Sequence, residues 1–465
     1  MKLPRDIGPV HFIGIGGIGM SALARWFRAG GKSVSGYDRT ETVLTGQLEK
    51  EGMKVNYTDT VEAIPVEVKE SRDKALVVYT PAIPKDSLQL KYFFDQGFEI
   101  RKRSEILGMI TRDHFTIAVA GTHGKTTTSS MIAHILHTAG RKSVAFLGGI
   151  LQNYNSNLII DMEGAGSQMI VVEADEYDRS FLKLTPDIAV VTAADADHLD
   201  IYGDLATMRE AFGQFIGRIR ENGKLFIRKG LHPVLPHQSR PDLHVQEYNI
   251  EHSAIRAENI RIDKEELRFD FISPEVSIDN ISLSMPGNHN IENAIAAIAV
   301  CVSCGIGEAS IKEAFATYRG VKRRFEYIIL RPDIIFIDDY AHHPEEIGAF
   351  IHAVKSIYPQ KKLTAVFQPH LFTRTRDFAR EFAESLSSAE EVILLDIYPA
   401  RELPVPGVTS ELIFNQLTSP GKLMCSRDEL LEILKEKKPE LLATIGAGDI
   451  DKMVSPVKEM LLSRS

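Results

Sequence analysis

Phe115-Thr-Ile-Ala-Val-Ala-Gly-Thr-His-Gly-Lys-Thr126 reads as a β-strand that runs into a glycine turn and opens a helix. The strand part is apolar almost throughout, as in a parallel sheet covered on both faces. Successive backbone N–H groups of Gly121, Thr122, His123 and Gly124, together with the helix N-terminus behind them, form a cradle for an anion. Lys125 adds a point charge for phosphate oxygens, and the Thr126 hydroxyl, followed by Thr127, suits a Mg²⁺ ligand. The usual phosphate loop has four residues between its glycines; here there are two, so this is a shortened form. A plain glycine turn leaves the Lys-Thr-Thr-Thr run at the helix start without a purpose.

Two further segments share this design. They are Val10-His-Phe-Ile-Gly-Ile-Gly-Gly-Ile-Gly19 and Leu442-Ala-Thr-Ile-Gly-Ala-Gly-Asp449. Strands alternating with helices imply an α/β fold built on parallel sheets. The pattern predicts three domains, at residues 1–112, 113–322 and 323–465. The first and third read as doubly wound, Rossmann-like units. The central one reads as a P-loop-like α/β domain with antiparallel strands added to its sheet edge over residues 260–284, where polar and apolar residues alternate. Helices are expected over Met20–Ala29, Lys125–His137 and His289–Cys304. Strands are expected at Ser33–Tyr37, Ala75–Tyr79, Gln168–Glu173 and Asp187–Ala193, then at Ile334–Ile337, Thr364–Phe367, Glu391–Leu395 and Leu442–Ile445.

Ligands of open α/β sheets sit at the carboxyl ends of the strands, so the residues that follow each strand matter most. Two strands after the phosphate loop end in acidic clusters, Glu173-Ala-Asp-Glu-Tyr-Asp178 and Asp195-Ala-Asp-His-Leu-Asp200. Mg²⁺ prefers oxygen ligands, which favours Glu173, with His198 as a nitrogen ligand to a second metal. The bland alternative for each acid is a solvated loop. Gly14-x-Gly-x-x-Gly19, with Asp38 at the end of the next strand, matches a dinucleotide fingerprint without saying which nucleotide is bound. Gly287-Asn-His-Asn-Ile-Glu-Asn293 opens a helix. His289, Asn290 and Asn293 there can read the edge of a base, whereas Asn288 as a helix cap is the alternative. Lys322-Arg323-Arg324 lies at the expected hinge to the third domain. Asp338-Asp-Tyr-Ala-His-His-Pro344 and Gln368-Pro-His-Leu-Phe-Thr-Arg-Thr-Arg376 end two of its strands, and their histidines and arginines suit an anionic substrate.

The bulk properties narrow the class. A chain of 465 residues with a net charge of −9 does not fit a polyanion as main partner, so no nucleic acid is expected. The three cysteines, Cys301, Cys304 and Cys425, are too few for a disulfide framework and fit a reducing, cytoplasmic compartment. Cys301 and Cys304 form a C-x-x-C pair inside an apolar run with no second pair nearby, which reads as helix packing. No apolar run reaches the ~18 residues that span a bilayer, so no membrane insertion is expected.

Taken together, the motifs resemble the Mur ligase family, in order and over nearly the whole chain. The matching runs are Gly-Thr-His-Gly-Lys-Thr-Thr-Thr, Glu-Ala-Asp-Glu, Asp-His-Leu-Asp and Asn-His-Asn-x-x-Asn. Gly-Ile-Gly-Gly-Ile-Gly-Met-Ser at residues 14–21 and the two strand-end segments of the third domain add to them. The resemblance implies an ATP- and Mg²⁺-dependent ligase of cell-wall precursor synthesis that joins L-alanine to the lactyl carboxylate of UDP-N-acetylmuramate through an acyl phosphate, as a monomer or weak homodimer.

The resemblance also implies roles. Lys125 holds the ATP phosphates, while Thr126, Glu173 and His198 place Mg²⁺. His289, Asn290 and Asn293 meet the adenine, and Arg323, Arg324 and Asp339 complete the ATP site. Gly16, Gly17, Ile18, Gly19, Met20 and Ser21, with Asp38, Thr80 and Arg103, serve the UDP-sugar. Tyr340, His343, Arg374 and Arg376 face the amino acid, with His343 as candidate base. Several members carry a carbamylated lysine after the Asp-His pair, but Met208–Ile216 contains no lysine. Leu371 also stands where some members place an arginine. Three rival readings remain at this point: a sibling ligase that adds a preformed tripeptide to the same sugar, a nicotinamide-dependent oxidoreductase, and a nucleotide-switched interaction protein.

Overall fold

The computed structural model describes residues 7–463 apart from 85, 162, 164, 196–198, 237–239, 264–265 and 401. Its first sheet contains β1 (Val10–Ile13), β2 (Val34–Tyr37), β3 (Lys54–Asn56), β4 (Leu76–Tyr79) and β5 (Glu99–Lys102) in the order β3-β2-β1-β4-β5, all pairs parallel. The winding reverses between β1 and β4, the place where such sheets open a crevice at their carboxyl ends. The glycine turn after β1 and Thr80 after β4 lie at that crevice. A Cβ on Gly14 would sit 3.0 Å from the Thr80 methyl.

The second sheet holds β6 (Phe115–Ala120), β7 (Arg141–Leu151), β8 (Ser156–Asp161), β9 (Ala165–Glu173), β10 (Ile188–Val191), β11 (Lys224–Arg228) and β12 (His244–Tyr248). Its order is β12-β11-β10-β6-β9-β7-β8. β6 runs parallel to β10 on one side and to β9 on the other. Both acidic strand ends therefore flank the phosphate loop. Strands β13 (Arg256–Asp263), β14 (Glu266–Ile272) and β15 (Ser277–Leu283) form a separate three-stranded sheet. They do not extend the seven-stranded sheet as expected, and the antiparallel strand at its edge is β8, paired with β7. Alternation marks a strand with one buried face but carries no information about which sheet it joins.

The third sheet holds β16 (Glu326–Leu330), β17 (Ile335–Asp339), β18 (Leu363–Phe367), β19 (Glu391–Leu394), β20 (Gly421–Met424) and β21 (Leu441–Ile445), in the order β16-β17-β21-β18-β19-β20. All pairs are parallel except β16 with β17, which is antiparallel. The fold is thus α/β in three domains. The expected helices and strands lie within about three residues of the observed ones, the ordinary uncertainty of element ends. The strands β3, β5, β7, β8, β11, β12, β16 and β20 lie outside the expected segments.

By compactness the chain forms two units. One comprises residues 1–260, 269–282 and 292–319, and the other comprises 261–268, 283–291 and 320–465. The first two sheets share the first unit, and one apolar core runs through both. Leu23, Phe27 and Val78 belong to it from the first sheet's layers, as do Phe146, Val172 and Phe212 from the second's. Asn157 of β8 ties the two sheets' layers together. Its fully buried amide donates to the hydroxyl of Ser21 at 2.9 Å and accepts from Arg25.

Candidate active site

The phosphate loop is shaped by two glycines that no side chain can replace cheaply. Gly121 has φ +134°, and a Cβ there would fall 2.1 Å from Thr192 Oγ1 and 2.7 Å from the Ala193 nitrogen. Gly124 has φ +80°, and its Cβ would fall 2.5 Å from Asn293 Oδ1. The end of β10 supports the loop directly. Thr192 Oγ1 donates to the carbonyls of Ala120, at 3.1 Å, and His123. Thr122 N–H donates to the Ala193 carbonyl at 3.2 Å. The Asp195 N–H donates to Thr122 Oγ1 at 3.2 Å, and His123 Nε2 lies 3.9 Å from Asp195. The helix Lys125–Thr138 leaves the loop with Thr126 and Thr127 buried in its first turn.

Lys125 does not extend into solvent. Its Nζ donates to the Gly121 carbonyl at 2.7 Å and to Glu176 Oε1 at 2.8 Å. Burial pulls the ammonium down, but the carboxylates of Glu176, Glu173 and Asp175 outweigh it and hold Lys125 above its ordinary value. Burial likewise raises the partner carboxyl of Glu176, although the Lys125 ammonium opposes that shift. Glu173, at the tip of β9, accepts from the Gly148 N–H at 3.0 Å, which fixes the orientation of its carboxylate. Hydroxyl and carboxylate oxygens are the hard donors that Mg²⁺ takes, so Thr126 and Glu173 fit that ion by type. His198 lies outside the described residues.

At the first sheet, the glycine turn after β1 is closed by an acid. Asp38 Oδ2 accepts from the Gly16 N–H at 2.8 Å. Gly17 N–H donates to the Gly14 carbonyl at 3.2 Å, and the helix begins at Ile18. Arg103 reaches this turn from the end of β5, since a Cβ on Gly19 would lie 2.6 Å from its Nη1. Gly16, Gly17, Gly19, Thr80 and Arg103 thus share one crevice. Met20 lies in the core, with its Cγ 3.6 Å from where a Cβ on Gly17 would fall, and the Ser21 hydroxyl is committed to the Ile18 carbonyl and to Asn157.

Among the three polar residues near the start of the helix Asn288–Ser303, Asn290 has a local partner and Asn293 a distant one. Asn293 Oδ1 accepts from Thr128 at 3.2 Å, behind the phosphate loop. In the second unit, Asn290 Nδ2 donates to the Pro286 carbonyl at 2.7 Å, whereas His289 is exposed.

The second unit gathers its own cluster at the tips of β17, β18 and β21. Arg323 and Arg324 both lie over the Tyr340 ring, each 5.2 Å from its centroid. Arg323 donates to Asp338 at 3.1 Å, and Asp338 also accepts from Thr444 at 2.6 Å. Asp339 accepts from the Phe325 N–H at 2.6 Å and the Ala341 N–H at 2.8 Å. Burial raises its carboxyl to about 6. Asp339 therefore fastens the entering segment, where Arg323 and Phe325 take positive φ of 61° and 49°. His343 caps the helix Pro344–Ile357, with its ring edge-on to Phe378. Arg374 faces His342 and His370, lowering both, although burial is the larger cause that brings each to about 4. Arg376, two residues along the same helix, instead pairs with Asp377 at 2.7 Å and is half-exposed. Neighbours two apart on a helix do not share a face, so these arginines part company.

Sequence reasoning missed three residues that matter here: Glu176, Asp175 and Asn157. The first two stood in a recognised acidic run, but nothing local showed which cations they would meet.

A phosphate loop of this type at the centre of a seven-stranded sheet, flanked by two acidic strand tips and preceded by a doubly wound domain, defines a nucleotide-using α/β enzyme. Comparison with known proteins makes the class specific. Residues 9–115 match the Mur ligase family catalytic domain, 119–301 the Mur ligase middle domain and 323–448 the Mur ligase glutamate ligase domain. The chain belongs to the Mur ligase family. A curated UDP-N-acetylmuramate–L-alanine ligase of Christiangramia forsetii is 47% identical over 99% of both chains. Its counterpart in Phocaeicola vulgatus is 49% identical over 97% of this chain and 98% of that one. The crystal structure of the UDP-N-acetylmuramate–alanine ligase of Thermotoga maritima is 27% identical and superposes with a TM-score of 0.82, covering 98% of this chain and all of that one. A murein peptide ligase of Psychrobacter arcticus, 24% identical with a TM-score of 0.70 over 98% of both chains, shares the fold.

Proposed function

We propose that this chain is an ATP-dependent ligase that joins L-alanine to the lactyl carboxylate of UDP-N-acetylmuramate, a step of peptidoglycan precursor synthesis in the cytoplasm. Residues 1–112 hold the sugar nucleotide, 113–322 hold ATP and 323–465 hold the amino acid. The observation that carries this reading is the full-length likeness to curated alanine ligases, joined to Lys125 in a phosphate loop set between two acidic strand tips.

In this mechanism the loop N–H groups and Lys125 hold the ATP phosphates while the lactyl carboxylate attacks the γ-phosphorus and ADP leaves. Such transfer depends on positioning and charge stabilisation rather than on covalent help from the protein. Thr126 and Glu173 would hold Mg²⁺, which when bound would supply further neutralisation of phosphate charge. The amine of L-alanine then attacks the acyl phosphate, inorganic phosphate leaves, and one amine proton must be taken up. His343 is the candidate acceptor of that proton, and Tyr340 and Arg374 are candidates to orient the amino acid. Among the described residues no helix is long and apolar enough to cross a membrane.

A phosphate-release assay with UDP-N-acetylmuramate tests the reading, with L-alanine, glycine, L-serine and a preformed tripeptide as acceptors. Release that requires ATP and is fastest with L-alanine supports it. Preference for the tripeptide would assign the chain to the sibling ligase of cell-wall recycling. Nucleotide hydrolysis that ignores the amine would leave a nucleotide switch instead.

A further inference from the structure

Asp175 and Glu176 are consecutive, yet they hold cations that belong to different substrate sites. Asp175 Oδ2 lies 3.1 Å from Nη2 of Arg103, whose guanidinium rests on Gly19 in the sugar-nucleotide crevice. Glu176 Oε1 lies 2.8 Å from Nζ of Lys125 in the phosphate loop. A second ion pair, Lys102 with Asp178 at 3.8 Å, joins the same two segments. In each site, then, a carboxylate stands against a cation that an anionic substrate would use.

We propose that Asp175 and Glu176 act together as a counter-ion pair that couples the two sites. An anion of the sugar nucleotide that draws Arg103 from Asp175 loosens the short segment that also holds Glu176 on Lys125, and so favours the triphosphate. By reciprocity the triphosphate favours the sugar nucleotide by the same factor. Both residues are positioning residues, since they act through Arg103 and Lys125. This inference rests on the function proposed above.

The segment is built so that its two carboxylates move as one. The Asp175 carbonyl accepts from Phe181 N–H at 2.9 Å, and the Glu176 carbonyl accepts from Arg179 N–H at 2.9 Å and from Tyr202 OH at 2.6 Å. Asp175 Oδ1 accepts from Tyr177 N–H at 3.0 Å. Asp178 and Arg179 follow with φ of 52° and 53°, a conformation costly for residues with a Cβ. Such strain persists only while surrounding contacts enforce it, so release of the ion pairs gives the segment somewhere to go. An ordinary interdomain salt bridge would need only one of these pairs. It would not place the neighbouring carboxylate, almost wholly buried, on the phosphate-loop lysine.

Calorimetric titration of the full chain with Mg²⁺ and a non-hydrolysable ATP analogue, with and without saturating UDP-N-acetylmuramate, tests the coupling. In the unaltered protein the sugar nucleotide should tighten analogue binding by about fivefold or more. In Asp175→Asn, a half-exposed position where the amide fits, the analogue should still bind but the tightening should vanish. Glu176→Gln should bind the analogue more tightly without the sugar and show little further gain with it. Full tightening retained in Asp175→Asn overturns the inference while leaving the function intact. Failure of the unaltered protein to bind UDP-N-acetylmuramate at all overturns both. If Glu176→Gln does not fold, the Asp175→Asn titration decides alone.

Discussion

Nζ of Lys125 and Oε1 of Glu176 lie 2.8 Å apart with the carboxylate side chain only 1% exposed, so the lysine of the phosphate loop is already engaged by an acid within its own domain. Removing one member of a buried pair leaves the other charge without compensation, at a cost of about 3–5 kcal/mol. Lys125→Ala should therefore both abolish ligation and lower stability by about 3 kcal/mol in urea unfolding. Adding Glu176→Ala should restore most of the stability and none of the activity. Near-normal phosphate release by Lys125→Ala would sink the assignment of the loop.

The loop's other demand is steric. A Cβ at Gly121 would meet Thr192 Oγ1 at 2.1 Å and the Ala193 backbone at 2.7 Å, in a backbone conformation that disfavours any side chain. Gly121→Ala should weaken nucleotide binding by at least about tenfold, which corresponds to roughly 1.4 kcal/mol. Titration with an ATP analogue reads this out, and unchanged affinity would show that the loop tolerates a shift that its contacts with β10 forbid.

Acid should destabilise the fold through histidines buried in their neutral form. His11 is fully buried, with Nδ1 2.9 Å from Ser35 Oγ and Nε2 3.0 Å from Gln89 Oε1. Burial lowers it to about 4, although the bond to Gln89 opposes the shift. The native state then binds fewer protons than the unfolded chain between pH 6.5 and 4, so stability is full above pH 6.5 and falls as pH drops through that window. The loss from this one group approaches about 3 kcal/mol. Urea unfolding from pH 7 to 5 should show this slope, and His11→Leu should reduce it by about one proton. An identical slope in the variant would exclude His11 as the source.

Asp339 offers a test within the second unit. Its carboxylate satisfies the N–H groups of Phe325 and Ala341. Asp339→Ala would leave both donors without that acceptor, at about 1–3 kcal/mol each. We expect a stability loss of roughly 2–5 kcal/mol, with Asp339→Asn losing less because its amide oxygen can keep one of the two bonds. A variant as stable as the parent would show that the segment entering the unit does not depend on this clamp.

Much of the site was legible before any coordinates. Gly121, Gly124 and Lys125 announce themselves because turn, charge and helix start are all local. Strand ends such as Glu173 and Asp339 follow from apolar runs that stop at acids. The roles of Met20, Ser21 and Arg376 could not be read this way. Met20 lies in the core, Ser21 serves Asn157, 136 residues away, and Arg376 leaves its neighbour's face to pair with Asp377. Asn290 and Asn293, expected at a base, have hydrogen-bond partners within the protein. The alternation over residues 260–284 marks strands, and the structure places them in a separate three-stranded sheet rather than at the edge of the seven-stranded one.

The amino-acid order alone thus determined where strands end, where glycines admit a turn and which residue types wait at each tip, because these depend on backbone sterics and on periodicities a few residues long. Only the tertiary structure decided that β6 lies between β10 and β9, and that Asp175 meets Arg103 while the very next residue meets Lys125. Those partners are 72 and 51 residues distant in the chain. Their meeting is set by strand order and by the shared core of the two sheets, and no local pattern encodes either.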